Sequence, residues 1–262
     1  LVPSVAALEG ATVEAERDGR WARHLRDFER ALVGESENAD STRLLNPEVL
    51  DFRSRWGTLT ATAAAPLVFE NRALGYRLTY LLTAFEGGET SVRYDGAESF
   101  EELEPASAAE AARWAAARAR AYRGSLAHLL QSLLAGTAEA EGFTLQLVRE
   151  DAFGGRHSFR MTGADLMTIA DDGWGTLRAD GSIEVIYGGE PEEPAYLRSS
   201  WFREHRSRPD PAQRSGVMVE RGLARIDPRG VSEDPFAVSV TGHLAFERLA
   251  DRVPHEYVPP PR

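Results

Sequence analysis

From Asp18, a plausible N-cap, the apolar residues Trp21, Leu25, Phe28 and Leu32 recur at helical spacing and make one stripe. Gly34 is a fitting stop. Residues 1–17 read as an extended lead-in from an upstream domain. The period then shortens. Residues 49–95 alternate or run apolar in short stretches separated by turn residues, and predict an antiparallel meander. Within it, PLVFENRALGYRLTYLLTAFE (66–86) sets two apolar runs around a polar centre and reads as two strands with a six-residue connection. Glu98 to Leu103 reads as a short helical turn. The clearest helical stretch spans 106–135, rich in alanine, with Gly124-Ser125 as a kink or split and Gly136 as its end.

Strand signals return with GFTLQLVRE, whose Phe143, Leu145 and Leu147 alternate. Asp180-Gly181 between TLRA and SIEVIY predicts a hairpin. Residues 151–158 read as a glycine-rich loop and 203–216 as exposed. VMVERGLARID and FAVSVTGHLAF read as one strand each, and the proline-ended tail as extended. Strands, helices, then strands again indicate an α+β fold: antiparallel sheets with a long helix or helical pair packed on one face. The domain spans 18–258, with a division near residue 150 giving two lobes (18–150 and 151–258); 259–262 is a tail.

Composition narrows the chemistry. The 262 residues are long enough for a core without staples. With no cysteine there is no disulfide, thiolate zinc site or cysteine nucleophile. The formal net charge of −11 disfavours nucleic acid and anionic bilayers as partners. No apolar run is long enough to span a bilayer, so this segment is not expected to insert in a membrane. Every basic side chain is arginine. A GC-rich genome and adaptation to high salt both account for that.

No motif declares a reaction. Glu70-Asn71-Arg72 offers a carboxylate and a guanidinium on a loop, and equally fits a bend in which Arg72 pairs with Glu70 and Gly75 permits the exit. Tyr122, Ser125 and His128 are neighbours on a helix, but neither an orienting third group nor a nucleophile elbow accompanies them. A helix break whose polar groups satisfy one another explains them better. The six histidines show no zinc spacing, and Asp171-Asp172-Gly173 with Asp180 does not match a calcium loop. No cofactor or metal is expected. Acidic residues are abundant, and a carboxylate pair for glycoside hydrolysis cannot be named without a fold.

Several stretches together resemble a known family: WARHLRDFERALVGESENA, LLNPEVLDF, PLVFENRALGYRLTYLLTAFE, RARAYRGSLAHLLQSL and AFERLADRVPHEY. They are similar to the C-terminal region of carboxypeptidase-like regulatory domain-containing proteins of the Bacteroidota. The resemblance runs from about Trp21 to Tyr257 and is weakest between about 151 and 215. It implies export to the periplasm or cell envelope of a Gram-negative bacterium, downstream of a small prealbumin-like sandwich, and no peptidase activity. The resulting expectation is a non-catalytic binding or assembly module. Its partner is a glycan, a peptide or another envelope protein, held by Glu70, Arg72 and Tyr76 with Arg123 and His128 behind them. The alternative is a hydrolase of glycan or peptidoglycan using two carboxylates. Both strand ribbons 49–95 and the helical rod are expected to pack together without a buried reactive constellation.

Overall fold

A computed structural model describes residues 5–88, 91–199, 202–203 and 208–260. Helix α1 (Val5–Val33) begins well before Asp18, so the expected lead-in is helical from Val5; its residues 1–4 lie outside the described residues. The Ala- and Glu-containing stretch 5–17 favours helix, and only its weak periodicity hid it. Gly34 ends the helix at φ +103°.

The first sheet contains β1 (Thr42–Leu44), β2 (Leu50–Arg55), β3 (Thr58–Ala63), β4 (Leu67–Asn71), β5 (Tyr76–Gly87) and β6 (Val92–Glu102). Its order is β1-β4-β5-β3-β2, with β6 also paired to β5, and every ladder is antiparallel. The expected meander is present in altered form, because β4 does not pair with β3; both use β5, at opposite ends. Residues 98–102 are strand rather than helical turn, since β6 pairs with β5 from Val92 to Glu102, with one register shift between Leu82 and Ala84. The sheet's core partner is α1. Phe28 and Leu32 are fully buried, with Phe28 against Phe85 at 4.7 Å and Phe52 at 5.6 Å between ring centroids. Burial of such a side chain contributes roughly 1.5–3 kcal/mol.

The expected rod at 106–135 is two helices, α2 (Ala108–Tyr122) and α3 (Leu126–Ala135). Ser107 caps α2 by accepting from Glu110 N, and Gly136 in the left-handed region closes α3. They serve different cores. From α2, Ala117, Ala121 and Tyr122 pack with Leu74, Tyr76 and Val253. From α3, Leu129, Leu130 and Leu133 enter the core of the remaining sheets.

Those sheets comprise β7 (Phe143–Glu150), β8 (Arg156–Met161), helix α4 (Gly163–Leu166), β9 (Met167–Ile169), β10 (Gly175–Arg178), β11 (Ser182–Tyr187), helix α5 (Pro194–Arg198), β12 (Gln213–Val219), β13 (Leu223–Ile226), β14 (Val238–Gly242) and helix α6 (His243–Phe246). The orders are β14-β12-β11-β7-β8 and β13-β10-β9. The expected hairpin at Asp180-Gly181 is a corner between two sheets: β10 pairs β9 and β13, whereas β11 pairs β7 and β12. Gly181 does not adopt the positive φ that a two-residue hairpin turn needs. The stretch 217–227 likewise divides between β12 and β13, and residues 243–246 leave β14 as helix. The 203–216 stretch is not uniformly exposed, since Gln213 and Ser215 are buried in β12.

Candidate functional site

The break between α2 and α3 builds the site. Arg123 is extended, and Gly124 takes φ +83°. A side chain at 124 would stand 2.2 Å from Gln213 Oε1 and 2.8 Å from Tyr187 Cδ1, so only glycine lets the break lie against β11 and β12. Ser125 caps α3: its Oγ accepts from His128 N (3.2 Å) and donates to Tyr122 O (2.7 Å). Gly124 N donates to His128 Nδ1 at 3.1 Å. That places the neutral ring's proton on Nε2, which lies 3.6 Å from Glu141 Oε2. The imidazole is buried against Tyr122, Phe143 and Tyr187.

These contacts remove the Ser125–His128 pair as a nucleophile and base. The serine hydroxyl is committed to the helix end, and Nδ1 is occupied by a backbone donor. Ser125→Ala should therefore lower unfolding free energy by about 1 kcal/mol, the value of an N-cap, without changing ligand affinity; urea titration and calorimetry check the two halves separately.

Tyr122 Oη donates to Gln131 Oε1 at 2.7 Å, and Gln131 Nε2 donates to Arg229 O and His255 O, both at 2.9 Å. Burial, and then Glu141, raise the Tyr122 hydroxyl above its ordinary range, which keeps it a donor. Arg123 Nη2 donates to Pro260 O at 3.2 Å, and Nη1 lies 4.0 Å from Glu190 Oε1. The tail is thereby held across the end of α3, and a cavity of about 520 Å³ opens beneath it, lined by Tyr122, Arg123, His128, Gln131, Glu141 and the tail prolines.

Of the five residues expected to bind ligand, only Arg123 and His128 meet here. Glu70, near the end of β4, pairs at 2.7 Å with Arg72 on the β4–β5 connection, and Arg72 is largely exposed. Asn71 holds that bend from inside: its Oδ1 accepts from Ala73 N and Leu74 N, and its Nδ2 donates to Ala250 O. Tyr76 is a core residue, 3% exposed, with the Arg118 guanidinium 3.9 Å over its ring. Burial pushes its hydroxyl up to about 12. The bend reading of ENRALGY is thus the one the hydrogen bonds follow.

No family model, curated protein or solved structure matches the chain. Among the described residues there is no group of three or more His, Asp or Glu placed to hold a metal, and no helix long and apolar enough to cross a membrane.

Contrary to expectation, ionisable groups do collect in the interior, around α6 rather than among the strands of the first sheet. Asp251 is buried; its Oδ1 accepts from Ser36 Oγ (2.7 Å) and Asn38 Nδ2 (2.9 Å), and its Oδ2 from Arg248 N (3.2 Å). Burial raises its carboxyl, and these hydrogen bonds oppose that. Glu247 is raised well above its ordinary value by burial and then by Asp251, Glu193 and Glu190. Burial, followed by Asp251, Glu37 and Glu190, brings Glu193 to about 7. His243, 1% exposed, falls to about 4 through burial, and its Nδ1 lies 3.6 Å from Glu247 Oε1. Neither Glu193, Glu247 nor Asp251 lines the cavity under the tail or the one beside α1. In the sequence, Glu247 and Asp251 are four apart, but nothing there ties them to residue 193 or to Ser36.

Proposed function

We propose that the chain is a non-catalytic binding module of an exported cell-envelope protein, and that the cleft between α3 and the C-terminal tail takes a short glycan or peptide. The observation that carries this is that Arg123, Glu141 and the His128 ring line one cavity of about 520 Å³, a size suited to a small ligand. The cleft offers a guanidinium for an acidic or carbonyl group, a carboxylate for hydroxyl or amide donors, and the Tyr122 ring for an apolar face. The resemblance to envelope proteins of the Bacteroidota supports the exported setting. The hydrolase alternative needs two acids bordering a substrate space, and the raised acids around α6 border neither cavity.

Titration calorimetry with soluble muropeptides and neutral oligosaccharides tests the reading. Arg123→Ala should weaken the ligand that binds by about tenfold or more, the loss of one charge-assisted contact, while Arg72→Ala leaves it unchanged. Equal affinities for wild type and Arg123→Ala would move the site elsewhere. Hydrolysis of a muropeptide or glycan by the purified chain would replace the binding reading by the enzymatic one.

A further inference from the structure

A second cavity, of about 440 Å³, shares no lining residue with the first. It lies between the later turns of α1, the β2–β3 hairpin, the end of β5 and the segment after α6. Its floor is apolar: Leu59, Phe85 and Phe246 are all buried. Its charged lining contains Arg23, Arg30 and Arg248 against Asp27 and Glu35. Arg30 is 3.8 Å from Glu35, a loose contact that leaves both largely solvated. In a chain of net charge −11, an excess of cations around one concavity is a local departure from the whole.

The hairpin at its rim supplies an independent observation. Ser54, Gly57 and Leu59 are wall residues, and Trp56 sits on the turn between them. Trp56 and Gly57 have φ +50° and +82°, the two left-handed positions of a tight hairpin turn. Asparagine or glycine suits the first of these; a bulky aromatic is an outlier. Trp56 is also 89% exposed, so its indole adds no core packing in return. The Arg55 guanidinium lies 4.2 Å from the ring centroid, over one face of the ring. Backbone strain spent on displaying a ring to solvent, beside a cation-lined cavity, is the pattern of a ligand platform.

We propose that this cavity binds an acidic saccharide: its carboxylates against Arg23, Arg30 and Arg248, and a pyranose face on the indole of Trp56. Arginine suits the planar carboxylate through paired N–H donors. A sugar ring presents C–H groups on one face and so matches the exposed π surface, while its hydroxyls meet Asp27, Glu35 and Ser54.

Trigalacturonate is the probe, with maltotriose as its neutral counterpart and AMP as a stacking anion of a different class. Binding is read by calorimetry and tryptophan fluorescence. Trigalacturonate should bind, weaken with added salt, and bind at least about tenfold more tightly than maltotriose or AMP. Trp56→Gly should lower its affinity about tenfold without lowering the melting temperature, because glycine relieves the left-handed position. The double variant R23Q/R30Q should lose a similar factor and most of the salt dependence. Arg123→Ala should leave trigalacturonate binding intact, which separates this site from the cleft under the tail. No binding of trigalacturonate, equal binding of maltotriose, preference for AMP, or full affinity in Trp56→Gly would each overturn the proposal.

Discussion

Glu247→Gln should stabilise the protein at pH 8 and change little at pH 5. Glu247 is 12% exposed at its side chain and lies near Asp251, Glu193 and Glu190, so burial and like charge both disfavour its ionised form. The folded chain then binds a proton that the unfolded chain releases. Stability due to these raised carboxyls is fully present below their unfolded values and is lost as pH rises towards the folded ones. For Glu193 that window runs from 4.5 to about 7, and at about 1.4 kcal/mol per unit the loss is on the order of 3 kcal/mol. His243 acts in the opposite sense. Its value is depressed from 6.5 to about 4, so its contribution is lost as pH falls through that interval. Between pH 4.5 and 6.5 the losses from Glu193 and Glu247 together outweigh the gain from His243, so maximum stability is expected at the acid end of that interval, near 4.5. The glutamine amide keeps the shape, cannot ionise, and can donate to the nearby His243 ring, whose nitrogens have no hydrogen-bond partner. Scanning calorimetry at pH 5, 6.5 and 8 should show a gain of about 5 °C or more for the variant at pH 8. A loss of stability at pH 8 would mean that the carboxylate is satisfied in its charged form.

Gly75→Ala should cost about 2–4 kcal/mol, well above the ordinary cost of a surface substitution. Gly75 has φ +70°, and a Cβ there would lie 2.3 Å from Cδ2 and Cε3 of Trp114. The indole has nowhere simple to go. It is 6% exposed, and its Nε1 donates to Arg72 O at 2.8 Å. Gly75 is tied on both sides as well: its N donates to Asn71 O, and its O accepts from Leu103 N and from Arg118 Nη2. Moving either partner breaks buried hydrogen bonds. Gly57→Ala is the control. Its φ of +82° carries the same left-handed penalty, but nothing stands within 4 Å of the added carbon. It should cost only about 1–2 kcal/mol. Urea unfolding of the two variants measures the difference; equal losses would show that the Trp114 contact contributes nothing.

Gly75 also shows how far the sequence could be read. Its need for left-handed freedom was visible in ENRALGY, as were the stops at Gly34 and Gly136 and the alternation of Phe143, Leu145 and Leu147. Each is a local preference that operates within a few residues. The Asp180-Gly181 turn obeyed its local preference only as far as bending the chain, because β10 and β11 each found better partners in other sheets. Glu98 to Glu102 became strand through pairing along β5. The candidate site divided in the same way: the break at Gly124-Ser125 was legible, while the meeting of His128 with Glu141 and of Arg123 with Pro260 was not.

Alone, then, the chain's order of residues determined an α+β character, the antiparallel strand regions, the helix stops at Gly34 and Gly136, and an acidic, cysteine-free composition, because dihedral preference, side-chain period and charge are properties of neighbours or of sums. Tertiary structure decided that Phe28, Leu32 and Val33 of α1 enter the core of the first sheet, that α2 and α3 part to serve two cores, and that Ser36, Glu193, Glu247 and Asp251 share one interior. Burial and long-range pairing depend on which surfaces meet in space, and no window of sequence contains both sides of such a contact.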